Sequence, residues 1–411
     1  MSRTFEENLR RYAELAVKLG VAVQPGQELI LAADVADAHL VHLIVEEAYK
    51  AGAKHVQVLY TDEANTLTKF RHGSDEAISY APKWIYDGQA LAFEGNAARL
   101  GIFGGDPSLL KSIDPQRVAT ASKVQSQASK HLSEYIADFR VNWCLIGSAS
   151  PAWARQVFPN LPQEQAMEKL WEAILLTSRV LEEDPLAAWG AHCDLLEQKQ
   201  DWLNSLELDA VHFKGGGTDL RVGLVDGHVW VGGWGKAKNG VRCSPNVPTE
   251  EIFTMPHRAR VDGIVRSTKP LSVRGQLVDG IEMEFKDGAV VNCKASAAEE
   301  TLLKLIDTDE GGRRLGEVAL VPNSSKVSQS GVLFLNSLYD ENAASHIAMG
   351  RCYSENLNGY DGMSEEERIA HGANDSLIHV DWMIGSGEID VDGIRKDGST
   401  MPLMRAGEWA G

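Results

Sequence analysis

The chain has 411 residues, with 40 Lys+Arg against 58 Asp+Glu and a formal net charge of −18. That length calls for two or three domains around ample core, and 44% hydrophobic with 24% charged residues excludes global disorder. The acidic surplus excludes broad binding to a phosphate backbone, which needs excess Lys and Arg, so nucleic acid is not an expected partner.

The first residues, Met1-Ser2-Arg3-Thr4-Phe5-Glu6-Glu7, are charged and hold no apolar leader core. No apolar run approaches the roughly 18–20 residues of a membrane helix. Cys144, Cys193, Cys243, Cys293 and Cys352 are scattered and form no CxxC pair, which reads as small apolar residues in a reducing compartment. The expected location is the cytoplasm, with no membrane partner.

Glu28–Ala33 is a short apolar run suited to a buried strand. Ala36 to Gly52 follows with helical spacing of Leu40, Val41, Ile44, Val45 and Ala48, and His55–Tyr60 returns as a strand. This βαβ unit implies a parallel sheet covered by helices. Arg99–Phe103 and Val141–Ile146 are further strands, and helices are expected near Asp114–His131 and Gln163–Leu181. After about residue 185 the texture changes. A long amphipathic segment, Leu186 to Leu206, leads into short strands at Ala210–Phe213, Leu220–Leu224, His228–Val231, Ile281–Phe285 and Ala289–Asn292. Gly215-Gly216-Gly217, Asp226-Gly227 and Asp287-Gly288 supply the turns. The expectation is an α/β N-terminal domain with a mostly parallel sheet over 1–185, then a β-rich α+β domain over 186–411.

The Gly-rich stretches Gly101–Asp106 and Gly215–Asp219 match neither a dinucleotide fingerprint nor a P-loop, and read as turns or close backbone approaches. Ser148 and Ser330 lie near glycines but not in a G-x-S-x-G elbow, and no Cys stands in a reactive context.

The second half carries a better constellation. In Ile378–Gly385 polar and apolar residues alternate, so His379 and Asp381 share one strand face about 7 Å apart along the chain. Such a pair suits Zn²⁺, Mn²⁺ or Co²⁺. In the strand candidate Thr249–Thr254, adjacent Glu250 and Glu251 point to opposite faces, so one of them reaches a given site. Glu317 interrupts the apolar run Leu315–Val321, and burying a lone charge is costly unless a cation offsets it. Asp340–Gly350 reads as a helix start. His346 and Tyr353 would share a face if that helix continued, and Glu341, roughly 140° from His346, could meet the same metal only from before the first turn.

Taken together, these segments resemble the M29 peptidases, the thermophilic-type metalloaminopeptidases. The resembling stretches are Pro245–Thr254, Thr268-Lys269-Pro270-Leu271, Leu315–Ala319, Ala344–Gly350 and His379–Met383, with Gly217-Thr218-Asp219-Leu220. They fall in the family's order over nearly the whole chain. The resemblance implies that Glu251, Glu317, His346, His379 and Asp381 are metal ligands, with Glu317 bridging two ions. It gives Glu341 as a further ligand or a supporting acid, Tyr353 as the active-site tyrosine, and Glu250 as a supporting group or general base. Two divalent ions, Zn²⁺, Co²⁺ or Mn²⁺, would activate water and polarise the scissile carbonyl. The implied protein is a cytoplasmic homodimer that removes N-terminal residues from peptides with a free N-terminus. Its N-terminal domain would limit access and supply dimer contacts. Two rival readings are another two-metal hydrolase, such as a phosphoesterase, and an inactive peptide-binding protein on the same scaffold. The first wants phosphate-clamping cations, of which Lys326 and Arg351 are the nearest; the intact ligand set speaks against the second.

Overall fold

Strand β1 (Glu28–Asp34) is buried along most of its length, as a strand covered on both faces must be. It pairs in parallel with β2 (His55–Thr61), from Glu28 opposite His55 to Asp34 opposite Thr61, across the helix Ala38–Lys50. Strands β3 (Ala98–Phe103) and β4 (Trp143–Gly147) extend the sheet on the other side of β1, again in parallel. The two-residue strand Asn246–Val247 completes it beside β4. At the end of β3 the glycines mark close contact: a Cβ on Gly104 would sit 1.7 Å from the Ser148 carbonyl oxygen. The Gly101–Asp106 stretch is therefore packed against backbone rather than shaped as a phosphate cradle.

This computed structural model describes residues 3–273 and 276–411. It divides into two units, Met1–His192 with Trp234–Pro248, and Cys193–Gly233 with Thr249–Gly411. The first unit holds the parallel sheet, and the chain returns to it late to add the edge strand. No helix among the described residues is long and apolar enough to cross a membrane.

The second unit is built from antiparallel strands. In chain order they are β5 (Leu208–Gly215), β6 (Thr218–Leu224), β7 (Ile252–Thr254), β8 (Pro256–Arg266), β9 (Glu282–Lys286), β10 (Ala289–Lys294), β11 (Leu315–Leu320), β12 (His346–Gly350), β13 (His379–Met383), β14 (Asp390–Arg395), β15 (Thr400–Arg405) and β16 (Glu408–Trp409). An eight-stranded sheet runs β10-β9-β8-β6-β5-β14-β15-β16. A five-stranded sheet runs β13-β12-β11-β7 and ends on Val231–Gly232, so that, of the expected strand His228–Val231, Val231 enters the ladder. One core joins them: Val318, Leu320, Ile347, Met349 and Trp382 from the smaller sheet pack with Val211, Phe213, Val222 and Val261 from the larger.

The expected helix over 340–350 breaks up. A single turn, Ser337–Asp340, and a 3-10 turn, Glu341–Ala343, stop at Ala344, which is fully extended, and His346–Gly350 forms β12. Every residue of β12 is buried because β11 and β13 flank it, and a one-sided helical stripe does not fit that environment. Short apolar runs such as Ile347-Ala348-Met349 do not separate helix from strand by periodicity alone.

Candidate metal centre

The five-stranded sheet has one face in the core and one that carries acids and imidazoles. Antiparallel register decides which is which. Ile347 pairs with Trp382 and with Val318, all in the core, so His346 and Ala348 turn to the other face. Opposite Ala348 stand Glu317 on β11 and Asp381 on β13, and opposite Gly350 stands His379. The strand expected over Thr249–Thr254 is shorter, Ile252–Thr254, and Glu251, just before it, reaches His346. Opposite Glu317 and Asp381 this face carries Ala348, and opposite His379 it carries Gly350. Small residues leave room above the sheet.

The functional atoms converge there. His346 Nε2 lies 3.1 Å from Glu251 Oε2 and 3.3 Å from Glu317 Oε1. His379 Nε2 lies 3.6 Å from Glu317 Oε2 and 3.3 Å from Asp381 Oδ1. Two groups of donor atoms result, Glu251/Glu317/His346 and Glu317/His379/Asp381, each within 4.8 Å of one another. Glu317 belongs to both, with one carboxylate oxygen turned to each. Asp381 Oδ1 is buried and meets no donor in hydrogen-bonding geometry, an acceptor left for a cation.

Both imidazoles are held with the same nitrogen outward. His346 Nδ1 faces the Ala344 carbonyl at 3.1 Å, and His379 Nδ1 faces the Arg351 carbonyl at 2.6 Å. A carbonyl only accepts, so each Nδ1 carries the proton and donates it, leaving Nε2 for the cluster. This is the arrangement by which backbone groups orient metal-ligating histidines. Borderline nitrogen with hard oxygen donors suits Zn²⁺, Co²⁺ or Mn²⁺.

The electrostatics follow from crowding charge out of water. Burial, then the charges of Asp381 and Glu251, push the Glu317 carboxyl up to about 7. Burial and the charges of Glu251 and Asp381 push Glu341 well above the usual carboxylate range. Burial opposes the charged imidazoles, yet hydrogen bonds with Glu251 and Glu317 raise His346 well above its ordinary value. The Asp381 charge likewise carries His379 up to about 10. Acids crowded together out of water hold on to protons, and a divalent cation would displace them.

Of the eight residues singled out in the sequence, Glu251, Glu317, His346, His379 and Asp381 come together in these groups. The Glu341 carboxyl feels four of them but lies outside both donor sets. Tyr353 lies against His379 with ring centroids 4.7 Å apart and edge-on to Phe253 at 5.9 Å. Burial, then the charges of Glu317, Asp381, Glu341 and Glu251, push its hydroxyl well above the usual range, which keeps it a donor. Glu250 is buried, and its N–H donates to Asn342 Oδ1 at 2.6 Å. Sequence reading missed Gly316, Asn342 and Glu355. Glu355, on the turn Ser354–Asn356, has a carboxyl pushed up to about 7 by burial and then by the charges of Glu317 and Glu251.

Gly316 makes a bulge between β11 and β12, where the pairing steps from Leu315 opposite Met349 to Glu317 opposite Ala348. A Cβ there would lie 2.3 Å from the Gly350 and Arg351 carbonyl oxygens. The second of these holds His379. Gly316→Ala should therefore displace the His379 ring and weaken metal binding about 10- to 100-fold, the scale of lost support behind a ligand. Isothermal titration of the stripped protein with Zn²⁺ measures it. An unchanged affinity would separate the bulge from the orientation of His379.

The whole chain has close relatives. Residues 5–409 match the family described as thermophilic metalloprotease (M29). Aminopeptidase T of Thermus thermophilus is 47% identical over 98% of this chain and 99% of its own. Aminopeptidase 2 of Geobacillus stearothermophilus is also 47% identical, over 99% and 98%. The solved structure of wild-type AmpT from Thermus thermophilus superposes with a TM-score of 0.94 at 46% identity, covering 99% of this chain and 100% of that one.

Proposed function

The chain belongs to the thermophilic metalloprotease (M29) family and is an aminopeptidase, and we propose that it works with two divalent cations sharing Glu317. The observation that carries this reading is the division of the Glu317 carboxylate, one oxygen toward His346 and the other toward His379. Glu251, Glu317 and His346 would hold one ion, and Glu317, His379 and Asp381 the other. When bound, such a pair supplies a water of lowered pKa and draws electrons from the scissile carbonyl.

The protein's own residues do the rest. The Ala344 and Arg351 carbonyls fix the two imidazoles. Tyr353 keeps its proton and donates a hydrogen bond to the peptide oxygen as that oxygen gains charge. Glu341, beside the cluster in the 3-10 turn, is a further ligand or steadies those present. Glu250, tied through its backbone to Asn342, positions Glu251. The second unit is thus the catalytic one. The first, which contributes none of these residues, is assigned the control of substrate access and the contacts of a cytoplasmic homodimer, as the family resemblance implies.

The reading is tested by stripping the protein with chelator and assaying aminoacyl-p-nitroanilides after adding back Zn²⁺, Co²⁺ or Mn²⁺. Activity should vanish and return, with two ions per chain by metal analysis. Loaded protein that cleaves no substrate with a free α-amine would overturn it. Tyr353→Phe should lower kcat by about 10²- to 10³-fold, as expected for one donor to a developing oxyanion, without changing metal content. A Tyr353→Phe enzyme with unchanged kcat would remove the hydroxyl from the reaction.

A further inference from the structure

An aminopeptidase must tell a chain's first peptide bond from the others, and the mark of that bond is the α-ammonium group beside it. Recognition calls for an acceptor at a fixed distance from the reacting centre. Glu251, Glu317 and Asp381 face imidazoles within the cluster, and Glu341 is drawn into its field. Glu355 is a further carboxylate outside both donor groups.

Glu355 sits on the turn Ser354–Asn356, immediately after Tyr353. That turn is held rigidly. Asn356 is 1% exposed, and its Nδ2 donates to the Val229 carbonyl at 3.1 Å and the Phe253 carbonyl at 3.2 Å. The Val229 amide donates back to the Asn356 carbonyl at 2.8 Å. Phe253 lies two residues beyond Glu251 on the ligand-bearing edge, and Tyr353 reaches across to His379. Glu355 is thereby fixed beside the cluster rather than inside it. Its side chain reaches solvent, yet it has the depressed acidity of a desolvated group close to Glu317 and Glu251. No hydrogen bond or ion pair among the described residues answers it.

We propose that Glu355 is the carboxylate that accepts the substrate's α-ammonium group, so that its place beside the metal centre selects the first peptide bond for hydrolysis. This rests on the aminopeptidase reading above. The α-ammonium of a peptide is a compact cation with three donors, matched to a carboxylate with no partner of its own.

The test compares wild type, Glu355→Gln and Glu355→Asp, each loaded with Zn²⁺ and checked for metal content. The substrates are leucine p-nitroanilide and its analogue with a hydroxyl in place of the α-amine. Where the analogue turns over too slowly, its Ki as a competitive inhibitor is read instead. Glu355→Gln should lose about 10- to 100-fold in kcat/KM on the amine, chiefly through KM, as befits a hydrogen bond to a charged group. The hydroxyl analogue should change less than about threefold under the same rule, because it offers no charge to lose. Glu355→Asp should recover part of the preference, and metal content should not move. An equal fall on both compounds, or no fall on either, overturns the proposal. A wild-type enzyme inactive on leucine p-nitroanilide and all other free-amine substrates would instead overturn the aminopeptidase reading beneath it.

Discussion

Glu317→Gln is expected to lower kcat by at least about three orders of magnitude, equivalent to some 4 kcal/mol of transition-state stabilisation. Among the described residues, no other belongs to both donor groups. An amide of the same shape offers one neutral oxygen where the carboxylate offers two anionic ones, so it cannot serve both sides at once. Metal content should fall below two ions per chain in the same sample. Stability of the metal-free protein should move little, which separates this variant from an ordinary core defect. Glu251, Glu317 and Asp381 face two imidazoles, and Glu317 suffers from the charges of Asp381 and Glu251. Removing its charge relieves that repulsion while giving up its contacts with His346 and His379. Melting curves in chelator, beside metal analysis and kcat, check all three statements. Retention of two ions and of wild-type kcat would deny Glu317 the shared position.

Much of this centre is legible in the sequence because its strands obey period two. His379-Val380-Asp381-Trp382 announces a polar and an apolar face, and the structure puts Trp382 in the core and both acid and imidazole on the other side. Glu317 is visible as the one charge in an apolar strand, for the same reason that it is perturbed: a lone buried carboxylate needs a partner. Of the pair Glu250-Glu251, the contact with His346 picks out Glu251.

What stays hidden depends on contacts made far along the chain. His346 sits in a run too short to choose between helix and strand, and the choice falls to flanking strands supplied by residues 315–320 and 379–383. The Gly316 bulge reads in sequence only as a glycine in a strand, and its purpose appears when the carbonyl of Arg351 is found beneath it. Glu355 lies on a turn, where no periodicity assigns a face, and only the hydrogen bonds of Asn356 fix its place. The return of Trp234–Pro248 to the first unit rests on a strand of two residues, Asn246 and Val247, which carries no readable pattern.

The stripped protein should lose stability as pH rises from about 5 to about 10, and bound metal should stabilise it more at each step, because protons stand in for missing cations. The sign follows from the groups themselves. His379 has a folded-state value of about 10 against an ordinary 6.5, so its contribution is complete below 6.5 and fades as pH climbs through 10. His346 is raised as well and acts in the same direction. Glu317, at about 7 against an ordinary 4.5, favours the folded chain while protonated and disfavours it once ionised, so stability drains across that interval too. Glu341 follows Glu317. Asp381 is lowered, and its opposite contribution is lost only below its ordinary 3.8, outside this window. Across this window the folded, metal-free site holds more protons than the unfolded chain does. A divalent cation displaces them, so binding releases protons and tightens as pH rises. At a thousandfold excess over Kd the ion adds about 4 kcal/mol, which for a protein of this size raises Tm by about 5–10 °C. Differential scanning at pH 5, 7 and 9, with and without Zn²⁺, should show that gap widening with pH. Titration in weakly buffered solution should show acid released on binding. A gap that narrows with pH, or a titration that takes up protons, would mean that the histidines and acids of this sheet are paired with one another for structure rather than waiting for metal.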